Sequence, residues 1–444
     1  MLLISSRHRR FCHLLGVVIA ATIAGAGIPR SHALTMEASA QLALRNNLEL
    51  KAAYYEVEKA RGRLLQAGLL PNPSLELAGE TDRAFKNEGE RKFAVAVSQA
   101  FPITGRLKHA RTVGRVEVAL AIAEIRNRER LLIGDVQRVF IQVLAGSEQI
   151  AARRELLETT NALVTLSRQR FEAAQVSQVD VNLANIETQK LQQEIRLLEA
   201  DREANLLALK QKLGLAPQTP LSIEGSLRGV AGSLGAPVDP RRAFSLRPDL
   251  RAVELAAERA RAEARLASSV AWGDPTVSFG FDQNRRSDVP IGLVTDRSLG
   301  LKLSIPLPAF NQNQGKIYEQ QSAERLAVGQ LSAQRLGVQT EIAVAGERAA
   351  RIGAALETYE RSLLPLISQN TAVLQQGYRE GKADFTQILQ SQNQRATLRI
   401  AAVDLARDRA LALVDLQTAT ASNRLLAPEL LRLRRPAIQA EAKR

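Results

Sequence analysis

The feature that most limits what this chain can become is an internal repeat at a near-constant offset. Leu44-Arg45-Asn46-Asn47-Leu48 matches Leu246-Arg247-Pro248-Asp249-Leu250 at a spacing of 202, and Asn72-Pro73 matches Asp274-Pro275 at the same spacing. Farther on, Phe171-Glu172-Ala173-Ala174 matches Tyr378-Arg379-Glu380-Gly381 at 207. Short matches that keep their order and spacing mark a duplicated structural unit. The drift from 202 to 207 has the size of one loop insertion, expected between the two strands of the second copy.

Each copy follows one plan. A medium helix comes first, over about 47–68 and 248–269. Pro248 suits a first helical turn, where its missing N–H has no partner to lose. Pro71 and Pro73 stop the first helix, and Gly273 with Pro275 the second. Two alternating segments follow, predicted as strands at 74–82 and 91–101 and at 275–283 and 297–307. Leu75 and Leu77, Phe93, Val95 and Val97, Val277, Phe279 and Phe281, and Leu299, Leu301, Leu303 and Ile305 recur at period two against small or polar residues. That alternation is a strand signature, and runs of about 9–11 residues suit tilted strands crossing a bilayer. The intervening stretches 83–90 and 284–296 read as polar loops.

A helical hairpin then occupies 107–213 in the first copy and 315–422 in the second. Val118, Ile125, Leu132 and Val139 recur every seven residues, as do Val136, Val143, Ile150, Leu157 and Val164. The second copy repeats the pattern at three–four spacing from Val338 through Ile342, Ala345, Ile352, Leu356, Leu363 and Leu366 to Val373. Such a sustained seam is that of a coiled coil. A helix over 107–170 would be roughly 95 Å long, too long for a compact globule. Pro365, inside the second long helix, is expected to bend it. The copies thus span 34–213 and 241–424, with a Gly-, Pro- and Ser-rich, partly structured linker at 214–240 and a tail at 425–444.

Composition agrees with long helices. Aromatic residues make up only 4%, against 45% hydrophobic and 24% charged, unlike a β-sandwich or an all-β porin. The N-terminus reads as a secretory leader over 1–33: Arg7, Arg9 and Arg10, an uncharged apolar run 14–28, and Ser31-His32-Ala33 as cleavage site. The alternative, an uncleaved anchor, has a short apolar run for a spanning helix. The single cysteine, Cys12, precedes that run, so neither an N-terminal lipid nor a disulfide is expected. Three of four histidines lie in the leader, leaving His109, which excludes sites built on several imidazoles. We find no phosphate loop, metal-ligand cluster or nucleophile–base pair, so neither an enzyme nor a bound cofactor or metal is expected. Of the formal charge of +14, the leader arginines Arg7, Arg9, Arg10 and Arg30 carry four. The rest is interspersed with Glu and lacks aromatic partners, which reads as solvated helix surface rather than a nucleic-acid face.

Four strands cannot close a barrel alone, and an open edge in hydrocarbon leaves backbone groups unpaired at several kcal/mol each. The long seams likewise demand partner helices. Oligomerisation follows, although the number of copies does not. A structural coiled-coil protein would leave the strands unexplained. A periplasmic adaptor would place one helical hairpin inside β-rich domains, not two hairpins alternating with strand pairs.

Pro71-Asn72-Pro73-Ser74-Leu75 and Ile305-Pro306-Leu307-Pro308-Ala309-Phe310-Asn311-Gln312-Asn313-Gln314-Gly315-Lys316 resemble the TolC-type outer-membrane factor family, in its cobalt–zinc–cadmium efflux branch. The resemblance runs over essentially the whole mature chain. It implies a mainly α fold with a small membrane β-barrel, and a homotrimer pooling twelve strands and an α-helical periplasmic barrel. It also implies a periplasmic adaptor and an inner-membrane RND-type pump as partners. The function implied is a passive exit duct in the cell outer membrane, for divalent heavy-metal cations or, alternatively, organic solutes. Pro102, Pro306 and Pro308 are expected to turn the chain from sheet to helix, with Asn311, Asn313 and Gly315 serving that turn. The helix-pair turns, 171–180 and 378–387, are expected at the periplasmic tip. By resemblance Phe171, Ser177, Tyr378, Gly381 and Asp384 are adaptor-contact candidates, with helix capping the other reading of Ser177 and Asp384. Asp180 matches an acidic entrance position, where a carboxylate ring would attract cations, or is a first-turn helix acid. Its second-copy counterparts are Gln387 and Gln390, so the entrance is not expected to be a symmetric acidic ring.

Overall fold

The computed structural model describes residues 33–84, 88–234, 240–288 and 290–426. The leader before Ala33, Cys12 and nearly all of the tail lie outside them. The first copy runs through α1 (Met36–Asn46), α2 (Leu48–Ala67), β1 (Ser74–Thr81), β2 (Arg91–Ala100), α3 (Arg106–Glu172) and α4 (Gln178–Lys212). Two short helices, α5 (Leu227–Ser233) and α6 (Pro240–Leu246), follow. The second copy runs through α7 (Pro248–Ser269), β3 (Thr276–Asp288), β4 (Gly292–Ser304), α8 (Gln314–Thr358), a π-helical turn (Tyr359–Leu363), α9 (Leu364–Arg379) and α10 (Phe385–Ala419). The fold is mainly helical, with one small sheet and a duplicated plan.

α3 has 67 residues, about 100 Å at the standard rise. The second copy reaches the same length in two pieces. Pro365 lacks an N–H and its ring collides with the carbonyl four residues back in a regular helix. The π turn immediately before it accommodates that defect, so the expected irregularity takes the form of a widened turn.

The four strands form one antiparallel meander, in the order β1-β2-β3-β4. Its register aligns Leu75, Val97, Phe279 and Leu301 across the sheet, and next to them Leu77, Val95, Phe281 and Leu299. The intervening rows are small or polar: Glu76, Ala96, Gly280 and Gly300, then Ala78, Ala94, Asp282 and Ser298. One face is thus apolar, and most of its side chains are exposed. β1 and β4 each keep one unpaired edge. Among the described residues no helix is long and apolar enough to cross a membrane.

Three expectations need correction. The hairpin of the second copy is not a polar loop over 284–296: β3 continues to Asp288 and β4 begins at Gly292. Its polar residues pair across the strands, Arg286 with Asp296 at 3.4 Å for example, which hydropathy alternation cannot show. The offset drift lies mainly beyond that hairpin. Five residues join β2 to α3 and nine join β4 to α8, so the connector 305–313 holds most of the insertion. Finally, 214–240 is no mere linker. Leu227, Val230 and Leu234 sit in the main core with Phe140, Ile141 and Leu144 of α3, and Leu34 bridges Ile223.

That core surrounds the middle of α3, where Met36, Leu44, Leu50 and Val57 of α1 and α2 and Leu206 and Leu209 of α4 meet Ile133, Val136 and Val143. Beyond it the helices expose large apolar side chains, such as Ile186, Leu197, Leu326, Leu336 and Val344. Stripes of this kind await helices of other chains.

Candidate functional site

The sequence singles out two places, the helical tip and the sheet–helix junction. At the tip both copies turn through a left-handed residue, Ala174 with φ 54° and Gly381 with φ 75°. They are 207 apart, so the repeat holds at backbone level. Glycine takes this conformation without cost, whereas alanine pays for it.

Each return helix is then capped. Ser177 Oγ accepts the Asp180 N–H at 3.3 Å, and Asp180 Oδ2 accepts the Ser177 N–H at 3.1 Å, a reciprocal capping box. The Asp180 carboxylate is therefore engaged in holding the first turn of α4. In the second copy the Asp384 N–H donates to Gln387 Oε1 at 3.3 Å. Gln387 and Gln390 are exposed and neutral. Phe171 is 41% exposed and open to contact.

Tyr378 does not fit its expected place. Its ring is 1% exposed and packs against Phe385, with centroids 6.1 Å apart, among Leu163, Ala184 and Ile388. Burial removes it from the adaptor-contact candidates and makes it a core residue of the tip. The sequence reading also missed Arg170. Its guanidinium lies 4.6 Å from the Tyr378 ring centroid, donates to the Tyr378 carbonyl at 3.0 Å and to Gln175 Oε1 at 3.2 Å. This one side chain ties the two hairpin tips by a cation–π contact and a hydrogen bond. The signal was the aligned aromatic pair Phe171 and Tyr378 with an arginine one position before the first. Nearby, the Lys382 and Gln376 hydrogen bonds hold the Glu380 carboxyl below its usual range.

At the junction, Pro102, Pro306 and Pro308 lie between the last strand residues and the long helices. α3 starts behind Gly105 with φ 75° and α8 behind Asn313 with φ 61°. The Asn313 N–H donates to Asn311 Oδ1 at 2.9 Å, and Asn313 Nδ2 donates to the Ala267 carbonyl at 2.8 Å. Both asparagines thus serve the turn. Gly315 does not: it is the second residue of α8, with helical backbone and open space where a Cβ would stand. Arg106 clamps the junction from the other copy, donating through Nε to both Asp274 carboxylate oxygens at 2.9 and 2.8 Å. Among the described residues no group of three His, Cys, Asp or Glu side chains could hold a metal ion.

A sheet with free edges and an apolar face, carried on helices with open apolar stripes, defines one subunit of a membrane channel completed by further copies. The chain belongs to the outer membrane efflux protein family, whose sequence model matches residues 39–215 and 240–422. It is 23% identical over 359 residues to the cobalt-zinc-cadmium resistance protein CzcC of Cupriavidus metallidurans, covering 81% of this chain and 83% of that protein. Its fold matches that of the CusC channel with a TM-score of 0.74 at 18% identity, over 87% of this chain and 91% of that one. The open state of the Neisseria gonorrhoeae MtrE outer membrane channel matches with 0.69 at 16% identity, over 87% and 88%. The protein is an outer-membrane efflux channel subunit.

Proposed function

We propose that three copies form the exit duct of a tripartite export system for divalent heavy-metal cations. The observation that carries the proposal is the open four-stranded sheet. Its two free edges need partners in hydrocarbon, and three copies supply a closed twelve-stranded barrel while the helices complete a periplasmic tube. The tips, with Phe171, Gly381 and the capped turns at Ser177 and Asp384, meet a periplasmic adaptor that connects to an inner-membrane RND-type pump. The cargo assignment draws on the resemblance around Pro71–Leu75 and Ile305–Lys316 and on the likeness to a cobalt-zinc-cadmium resistance protein. Asp180 lines the entrance as one ring of carboxylates, without a matching ring from Gln387 or Gln390. A passive duct needs no enzymatic step.

The test is deletion of the gene, in a strain lacking other exit ducts, followed by growth across zinc, cobalt, cadmium and a drug panel. Loss of metal tolerance that returns with the gene is the expected result. Unchanged metal tolerance with new drug sensitivity would replace metal cations by organic solutes. A heat-modifiable trimer in outer-membrane fractions tests the assembly independently of cargo.

A further inference from the structure

Read along the chain, the basic excess looks like solvated helix surface. In three dimensions part of it is gathered at one level. No Asp or Glu occurs between Arg91 and Val116, or between Arg297 and Tyr318. The first stretch holds β2 and the start of α3, the second β4 and the start of α8. On α3, Lys108, Arg111 and Arg115 follow i, i+3, i+7 spacing, which places them on one helical stripe. All three are exposed, and none has a carboxylate partner among the described residues. The stripe ends within about 15 Å of the first residue of α3.

Large apolar side chains are exposed beside it. Phe101 and Ile103, and Ile305 and Leu307, prolong the odd-numbered apolar rows of β2 and β4 past the ladder. Leu307 is 76% and Phe310 94% exposed. Trp272 and Leu307 line one cavity of about 320 Å³ with Pro308. The Arg106–Asp274 pair fixes the start of α3 to the segment carrying Trp272, two residues away.

Apolar and aromatic residues at the end of membrane strands, with cations that lack carboxylate partners one step farther out, match a bilayer boundary: acyl chains first, phosphates next. We infer that this junction binds anionic phospholipid headgroups of the periplasmic leaflet, with the cation stripe on the phosphates and Trp272, Leu307 and Phe310 at the acyl boundary. The apolar row of β4 runs without a gap from Leu299, Leu301 and Leu303 on the membrane face of the sheet through Ile305 to Leu307, which favours lipid over a soluble protein as the occupant. The inference rests on the outer-membrane reading.

Trp272 is the only tryptophan, so its fluorescence reports on this level. The full-length protein is reconstituted in phosphatidylethanolamine vesicles containing a minority of phosphatidylglycerol, with brominated acyl chains on either lipid. Per lipid, brominated phosphatidylglycerol should quench Trp272 roughly 3-fold more strongly. The preference disappears in the triple variant Lys108→Gln, Arg111→Gln, Arg115→Gln, and at high salt. It persists in the charge-matched control Arg168→Gln, Arg348→Gln, Arg379→Gln. Equal quenching by the two lipids in the unmodified protein, or a preference that survives the stripe variant, overturns the inference while leaving the channel intact. Inserted protein with no quenching by either lipid overturns the placement of Trp272. Failure to insert at all overturns the outer-membrane reading, and the inference with it.

Discussion

At the base of each copy the same joint is built from different chemistry. In the first, Asn47 caps α2 by accepting the Leu50 N–H at 2.8 Å and donates to the carbonyl of Lys212, the last residue of α4, at 3.0 Å. In the second, Arg247 donates to the carbonyl of Ala419, the last residue of α10, at 2.8 Å. Lys212 and Ala419 are 207 apart. A helix C-terminus leaves carbonyls without partners, and both copies satisfy one from the start of the medium helix. The neutral joint does this with one amide. The charged joint needs Asp249, whose Oδ2 lies 2.6 Å from Arg247 and 3.6 Å from Arg130, and Glu341 at 2.7 Å from Arg247. Arg130 belongs to α3 of the first copy and also donates to the Thr418 carbonyl at 2.6 Å. The difference teaches that duplication preserved the need for a closed joint, not its chemistry, and that the charged version also links the two copies.

The largest expected effect breaks the charged joint. Asp249→Asn leaves Arg247 and Arg130 buried without their shared carboxylate and should cost about 3–5 kcal/mol, measured by denaturation of the detergent-solubilised protein. Burial alone would raise the Asp249 carboxyl, but the Arg247 hydrogen bond and the charges of Arg130 and Arg247 outweigh it and hold it below the usual range. Its contribution is therefore complete above the unfolded carboxylate pKa, near ~3.9, and is lost as pH falls through the lower folded value. Stability should decline more steeply below about pH 5 than in Asp249→Asn, where that part of the acid limb is absent. An identical acid limb in the variant would show that the charged joint does not set it.

Two residues beyond each joint the chain again turns left-handed, at Gly214 with φ 69° and at Ala421 with φ 50°. A Cβ on Gly214 would stand 2.5 Å from the Asn46 carbonyl oxygen. Gly214→Ala should thus cost about 2–4 kcal/mol from strain and collision, whereas Ala421→Gly stays within about 1 kcal/mol of the parent. Equal thermal midpoints for the two variants would contradict the asymmetry. At the tip the contrast is smaller. Ser177→Ala removes one arm of the capping box and should weaken the first turn of α4 by about 1 kcal/mol. Gln387→Ala removes only the reach-back bond and should weaken α10 by about 0.5 kcal/mol. Hydrogen exchange of the two turns reads both, and equal protection losses would erase the difference.

The repeat, the strands and the long helices were legible because each is written in periodicity, and Val95, Leu301 and Val143 fall where their rows predict. The extension of the second hairpin was not, since Arg285 to Asp288 carry no hydrophobic residue to continue the alternation of β3, and the apolar residues Ile291, Leu293 and Val294 cluster around the turn. The joint was half legible. Arg45-Asn46-Asn47 and Arg247-Pro248-Asp249 aligned, but the carbonyl they serve lies 165 or more residues away. Tyr378 was placed at the tip correctly in chain order, yet whether it faces a partner or a core depends on Phe385 and Arg170. Gly315 drew attention as part of a motif, although its backbone needs no glycine.

The central claim is that no single copy closes the sheet. Cysteines can test it because the only natural one, Cys12, falls in the expected leader. Ala78→Cys on β1 is combined with a cysteine at each of positions 295 to 303 of β4, and the intact outer membrane is oxidised before electrophoresis. Cross-linking at a few alternate β4 positions, giving linked species up to three copies and no more, is the predicted result. A single-chain band at every position, or a ladder extending past three, would contradict it.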